Sequence, residues 1–508
     1  MKKGRFPLSV FGIIFVAVSL LAQTHSWRVD YSDATEPNQG RRIIRNPANG
    51  HLHLVFDYPY SSVWWAAYTF STNSGISWAP LEDMLSGDLV SLSLQGNNPW
   101  VAWRGAWGED DDLGGSIRRG TNNWNSSGSE QLWDDGFNRI YSTSTVVSPS
   151  GGSSPMAYTV YSWAERTEYP PYYTGRCYIT FVAWDTLNVG RRPRAIPTSV
   201  SVVDEIDVGP GNVYNMEASI AVSGHNNADT IHIAYKWREN GVDRIFYKKN
   251  TNWINPSRIR SGVAPIWSIR TPISTPSDPI TQPASQPSIE FYNNRVFVVW
   301  RGPNEYGQDI GEIYLRYRNI GVFKWFRPQN ISKSPFQESR HPESSQGDWA
   351  VVFQEQISLT NWETYLYAAG AAGTIFNISK TSTPSCYPHT AADGPRSYSV
   401  WTEDLGSGNY WVYFRAYEYI PPQGPPSAGE DEISHLRIIQ DRKAKYVKFF
   451  LPNVSFRIEI YNHLGNLVFW TFAREQGVWN YGKANSGVYF YLVKAEETSR
   501  SGKIVIAN

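Results

Sequence analysis

The sequence predicts an all-β protein: a seven-bladed β-propeller, with six blades as the alternative count, followed by a small Ig-like β-sandwich. Three observations predict it. The 508 residues hold 22 Trp, 31 Tyr and 22 Phe against 4 Met, and aromatic and β-branched side chains suit pleated, half-buried surfaces. After about the first thirty residues apolar positions alternate with period two, and no long stretch shows the three-and-four spacing of a helix. Seven similar segments recur: HLVFDY from His53, WVAWRG from Trp100, MAYTVYSW from Met156, IHIAYKW from Ile231, VFVVWRG from Val296, WAVVFQE from Trp349 and YSVWTED from Tyr398. Intervals of about 45 to about 75 residues suit four-stranded blades with loops of variable length.

The fifth copy shows the whole unit. PSIEFYN (Pro287–Asn293), RVFVVWRG (Arg295–Gly302), EIYLRYRN (Glu312–Asn319) and VFKWFRPQNIS read as four strands of a meander. One such sheet cannot bury both faces alone, so sheets stack radially and cover one another. The last copy is short of strands, and SWRVDYSDA near the start of the chain is placed to complete it and close the ring. In the first copy STNSGISW (Ser71–Trp78) falls between third and fourth strands as a hairpin turn. Asn73 closes it with its side chain, Gly75 supplies positive φ, and Trp78 packs beneath.

That stretch resembles the Asp-box, or BNR repeat, of sialidase-type propellers, S/T-x-D-x-G-x-T-W, with Asn73 in place of Asp and Ser77 where Thr is common. The resemblance concerns the fold, because in that family the boxes lie on the face away from the active site. GRRIIRNPANGHLHLVFD (Gly40–Asp57) is similar to the family's arginine-bearing entry strand, with Arg42 at the matching place and Ile44 where Pro is expected. The tyrosine nucleophile, its glutamate and the aspartic acid of a retaining sialidase have no assignable counterparts.

The chain opens with Lys2, Lys3 and Arg5, an apolar run from Leu8 to Leu21, and the small Ala22. This reads as a secretory signal peptide over 1–26. An N-terminal anchor is the alternative, although the run falls short of the ~20 residues that span a bilayer. The propeller is assigned to 27–420, and no stable transmembrane segment is expected after signal cleavage. With 46 Lys+Arg against 46 Asp+Glu, nothing in the net charge calls for nucleic acid. Cys177 and Cys386 make no disulfide framework, and whether they pair stays open.

PPQGPPSAGEDE, spanning 421–432, reads as a linker. The alternating segments over 433–508 suffice for an Ig-like sandwich. IYNHLGNLV (Ile460–Val468), Trp479, SGVYFYLVKA (Ser486–Ala495) and GKIVIAN (Gly502–Asn508) resemble the C-terminal sorting domain of type IX secretion cargo. Tyr461, Gly465, Gly487, Tyr489, Gly502 and Lys503 carry the match, and Asn480-Tyr481 departs from the Asp-Gly of relatives. The resemblance implies the type IX machinery as partner and a secreted or outer-surface location.

In a propeller the loops between second and third strands lie at the ligand-holding channel mouth. They contain Arg104, Trp107, Arg238, Arg301, Glu305 and Tyr306. Aromatic rings beside guanidinium forks suit a polyhydroxylated or carboxylated ligand; a merely wet, polar loop set is the plainer reading. Asp110, Asp111 and Asp112 offer oxygens to calcium but lack the alternate spacing of a loop that wraps an ion. His53, His232 and His341 show no metal-site spacing. The functional expectation is a glycan- or protein-binding propeller without catalysis, with a glycoside hydrolase as the rival and a structural envelope component as the third reading.

Overall fold

Period-two alternation produces antiparallel strands almost throughout the computed structural model. It describes residues 24–506 apart from 30–33, 36–39, 61–62, 108–109, 121–122, 127–138, 150–155, 168–171, 187–198, 226–227, 253, 275–282, 305–307, 309, 323, 335–336, 346–349, 369–373, 395, 419–436, 442–444, 463–466, 482–485 and 496–497. The chain divides into two units, Met1–Tyr419 and Ile420–Asn508. Residues 1–23 of the expected signal peptide and the 421–432 linker lie outside the described residues. Among the described residues no helix is long and apolar enough to cross a membrane.

The described residues of the first unit form seven four-stranded antiparallel sheets. Each recurrent segment proves to be the second strand of its sheet: Leu52–Tyr60, Asn98–Trp107, Met156–Arg166, Ala228–Glu239, Arg295–Pro303, Ala350–Gln356 and Arg396–Asp404. The seventh sheet takes its fourth strand from the start of the chain, where Thr24–Val29 pairs with Tyr410–Arg415. That strand begins inside the span assigned to the signal peptide.

Sheets follow one another in a ring because both of their faces are apolar. On the second strand of the first sheet, Leu52, Leu54 and Phe56 pack with Val400, Val412 and Phe414 of the seventh sheet. Val55, between them, packs with Val90, Val101 and Trp103 of the second. Alternate residues therefore serve opposite neighbours, and a near-continuous hydrophobic strand follows when both faces are covered. The large aromatics go here: Trp100, Trp184, Trp300 and Trp401 are fully buried.

Each first strand is the inner edge of its sheet and touches the first strand of the next sheet. An edge leaves unpaired N–H groups. Serine hydroxyls from the preceding sheet accept several of them: Ser91 from the Thr145 N–H at 2.9 Å, Ser144 from Ile220 at 3.3 Å, Ser219 from Ile289 at 3.3 Å and Ser288 from Ser344 at 3.1 Å.

The Ser71–Trp78 turn folds as expected. Asn73 Oδ1 accepts from the Ser77 N–H at 2.9 Å, and Ser71 Oγ accepts from Gly75 N–H at 2.8 Å. Gly75 has φ +88°, and a Cβ there would collide with Phe414 of the seventh sheet. Trp78 sets its edge against Phe414 and Trp27 at 4.9 and 5.2 Å. The turn thus fastens the first sheet to the last, at the seam where the ring closes.

Two histidines find tyrosines rather than metal. His53 Nδ1 bonds Tyr68 Oη at 2.7 Å, and His232 Nδ1 bonds Tyr247 Oη at 2.7 Å. In each case the tyrosine carries an arginine over its ring and a tryptophan at its edge from the following sheet, Arg118 and Trp124 or Arg318 and Trp325. Burial drives both imidazoles down to about 3, so they stay neutral. Cys177 is buried and Cys386 half-buried, and the two form no disulfide with one another.

In the second unit five strands, Arg437–Asp441, Tyr446–Asn462, Leu467–Asn480, Gly487–Ala495 and Thr498–Ile506, form one sheet. The 17-residue Tyr446–Asn462 strand pairs its first part with Arg437–Asp441 and its last part with Gly487–Ala495, across an irregularity between Leu451 and Ser455. Trp479, Tyr489 and Tyr491 join Phe449, Phe456 and Ile458 in its core. Gly465 lies outside the described residues. Tyr461, Gly487, Gly502 and Lys503 lie on paired strands.

Candidate functional site

The arginines expected at the channel mouth sit at the ends of second strands, each just after a tryptophan, and each is held by its own carboxylate. Arg104 Nε donates to Asp88 Oδ1 at 2.6 Å and its Nη1 to the Ile140 carbonyl at 2.8 Å. Arg238 grips Asp243 at 2.7 and 3.2 Å and lies 4.7 Å over Tyr214. Arg301 reaches Glu338 at 3.2 Å. Arg42 is fully buried, its two terminal nitrogens donating to Asp57 at 3.0 and 2.7 Å. These side chains are tied within or between neighbouring sheets, so their charges are spent locally rather than pooled into a carboxylate clamp. Trp107 lies on a paired strand; its side chain, Glu305 and Tyr306 lie outside the described residues.

The acidic run is strand rather than loop. Asp110, Asp111 and Asp112 pair with Trp107, Ala106 and Gly105. Asp111 accepts from the Ile140 N–H at 2.8 Å and lies 3.7 and 3.6 Å from Arg104 and Arg139. Among the described residues no group of three His, Cys, Asp or Glu side chains is placed to hold a metal ion.

A different cluster forms where the first strands begin. Register shifts interrupt five of them, between Asp88 and Ser91, Ile140 and Ser142, Ser285 and Ser288, Arg340 and Glu343, and Cys386 and His389. In the last three sheets the shift carries a non-glycine residue at positive φ: Gln286 at 55°, His341 at 52° and Tyr387 at 52°. Such a conformation costs about 1–2 kcal/mol for an L-residue, and bulges of this kind turn a side chain out of the regular pleat. Each is followed by proline, in QPS, HPE and YPH, and proline suits a position whose N–H the bulge leaves without a ladder partner.

These three residues line one pocket together with Glu343 and His389. Gln286 holds His341 twice: its Oε1 accepts from the His341 N–H at 2.9 Å and its Nε2 donates to Nδ1 at 2.9 Å. His389 Nε2 donates to the Thr35 carbonyl at 3.1 Å, and its Nδ1 is buried without a partner. Arg41, just ahead of the first sheet, forms a 2.6 Å ion pair with Glu290 of the fifth and reaches the Thr145 carbonyl of the third at 3.4 Å. One guanidinium therefore bridges sheets far apart in the ring.

The cluster is close to electrically neutral. Burial raises the Glu343 carboxyl to about 8, against the pull of Arg41 and a hydrogen bond from Ser288, while Glu290 adds to the rise. At neutral pH it is mostly the protonated acid. Burial lowers His389 to about 3 and His341 well below its usual value. What remains is a set of uncharged hydrogen-bonding groups beside the Arg41–Glu290 pair, with Arg340 and Arg301 close enough to add to the lowering of His341. None of these residues was singled out for this role from the sequence; the recurring QPS, HPE and YPH tripeptides were the available signal.

No family model matches the chain, and no curated protein matches it. Among solved structures the chain is similar to Trypanosoma rangeli sialidase, at 10% identity over 94% of this chain and 89% of that one, with TM-score 0.40. A Penicillium chrysogenum α-L-arabinanase complexed with arabinobiose shows 12% identity over 78% of this chain and 98% of its own, with TM-score 0.38. A protein of unknown function from Dyadobacter fermentans DSM 18053 shows 9% identity, 78% and 99% coverage, and TM-score 0.40. The likeness is loose, and the ring of sheets stands on its own strand pairing and packing.

Proposed function

We propose that this chain is a secreted or surface-displayed seven-bladed β-propeller that binds an extracellular glycan at the channel mouth without cleaving it. The second unit is its Ig-like type IX sorting domain. The observation that carries the binding reading is the pocket of Gln286, His341, Glu343, Tyr387 and His389, while the arginines expected to hold a ligand are paired with Asp57, Asp88, Asp243 and Glu338. Convergent polar groups next to an aromatic ring suit a polyhydroxylated ligand.

A hydrolase is the second reading, and one observation favours it: Glu343 is a protonated acid near a second carboxylate, Glu290. A glycosidase pair needs that second carboxylate free to attack or to activate water. Here it is held by Arg41 at 2.6 Å.

The test is a glycan array run beside a fluorogenic glycoside panel on the full chain. Retention of neutral glycans with no turnover is expected; turnover abolished by Glu343→Gln would establish the hydrolase instead. The export assignment is checked by fusing 433–508 to a signal-bearing reporter in a type IX-competent host, where periplasmic retention counts against it.

A further inference from the structure

Two imidazoles face one small space in opposite tautomers. Gln286 donates to His341 Nδ1, so the proton of His341 sits on Nε2. The orientation of that amide is fixed independently, because its oxygen accepts from the His341 backbone N–H. His389 has the reverse arrangement. Its Nε2 carries the proton given to the Thr35 carbonyl, which leaves Nδ1 as a bare acceptor, buried and without a partner. His389 is 3% exposed, and a buried acceptor left unmatched costs free energy until something donates to it.

Paired imidazoles beside a carboxyl are also the ingredients of a metal centre, but the tautomers exclude that use. A metal would need the Nε2 lone pair of His341, and the glutamine has placed a proton there. The described residues accordingly present no metal-holding triad. The space is partly open and about that of one water molecule, too small for a sugar ring and sufficient for one protruding hydroxyl. A hydroxyl accepts one hydrogen bond and donates another, whereas a carboxylate only accepts and would confront the lone pair of His389.

The geometry points to a hydroxyl-reading subsite, in which His341 donates to and His389 accepts from one hydroxyl of a neutral sugar, with Gln286 as the positioning residue that sets the polarity. It rests on the glycan-binding reading above and narrows it to neutral, non-carboxylated glycans. The protonated carboxyl of Glu343 in the same pocket adds a donor without adding charge.

The test uses the full chain, lactose and the neutral oligosaccharides of the array, and sialyllactose as the probe of charge. His389→Phe removes the acceptor, and Gln286→Leu, at a half-buried position, frees His341 to change tautomer. Both variants are first shown to melt cooperatively. Affinity for neutral glycans is expected to fall roughly tenfold or more in each, and sialyllactose is expected to bind no better than lactose. Unchanged affinity in either folded variant would mean that the pocket holds only water and overturns this inference alone, as would a preference for sialyllactose. If the wild type retains no glycan at all, the binding reading falls and this inference falls with it.

Discussion

Replacing Arg42 with alanine is expected to destabilise the first unit by about 3–5 kcal/mol, the cost of leaving a buried charge without its partner. Arg42 and Asp57 have side-chain exposures of 0% and 2% and meet through two hydrogen bonds. Burial raises Asp57 to about 6 and Arg42 is the main opposing influence, so removing the guanidinium drives the carboxyl towards its protonated form. Urea unfolding at pH 7 measures the loss directly. The same variant separates two roles for this arginine. A substrate-binding arginine would lose ligand affinity at unchanged stability; the buried pair predicts the reverse order of effects, with unfolding shifted first. Arg42→Ala that melted like wild type would contradict the placement of this side chain.

Glu343→Gln is expected to change the pH dependence of stability, and its sign follows from the direction of the shift. The folded-state carboxyl titrates near 8, against the usual glutamate value of 4.5. Between those values the unfolded chain has released its proton while the folded chain keeps it. Raising the pH across that window therefore favours unfolding, by about 1.4 kcal/mol per pH unit and about 4–5 kcal/mol in all. Glutamine cannot ionise and removes this slope. The variant should gain on wild type steadily from pH 5 to about pH 8 in denaturant titrations and level off above it, with little difference at the acidic end. A constant difference across the range would show that Glu343 is not the proton-holding group.

Histidines act with the opposite sign. His53, His232 and His389 are held near 3 in the folded chain against 6.5 when free. Their contribution is present above pH 6.5 and is lost as the pH falls towards 3, because the unfolded chain takes up protons first. The two groups of residues offset one another in the wild type, which makes the single glutamate variant the sharper probe.

Much of this protein was legible in one dimension. Aromatic, period-two segments such as WVAWRG and VFVVWRG identified the second strand of every sheet, since a strand covered on both faces must be apolar at nearly every position. STNSGISW announced its own turn, because the Asn73 and Ser71 bonds are local and only glycine takes φ +88° at Gly75 without strain. The break ahead of the second unit was equally visible in the run of prolines and glycines.

The site was not legible in the same way. Arg42, Arg104, Arg238 and Arg301 looked available because sequence does not show which carboxylate folds back onto each guanidinium. Conversely, Arg41 and Glu290 are 249 positions apart and meet only because the ring brings the first sheet opposite the fifth. The pocket exists because three bulges in three consecutive sheets turn Gln286, His341 and Tyr387 inward together. Local composition determined the strands, the turn and the two-part organisation, since those follow from interactions a few residues long. Which charges are spent and which polar groups are turned into the pocket depends on contacts between distant sheets, and only closure of the ring decides them.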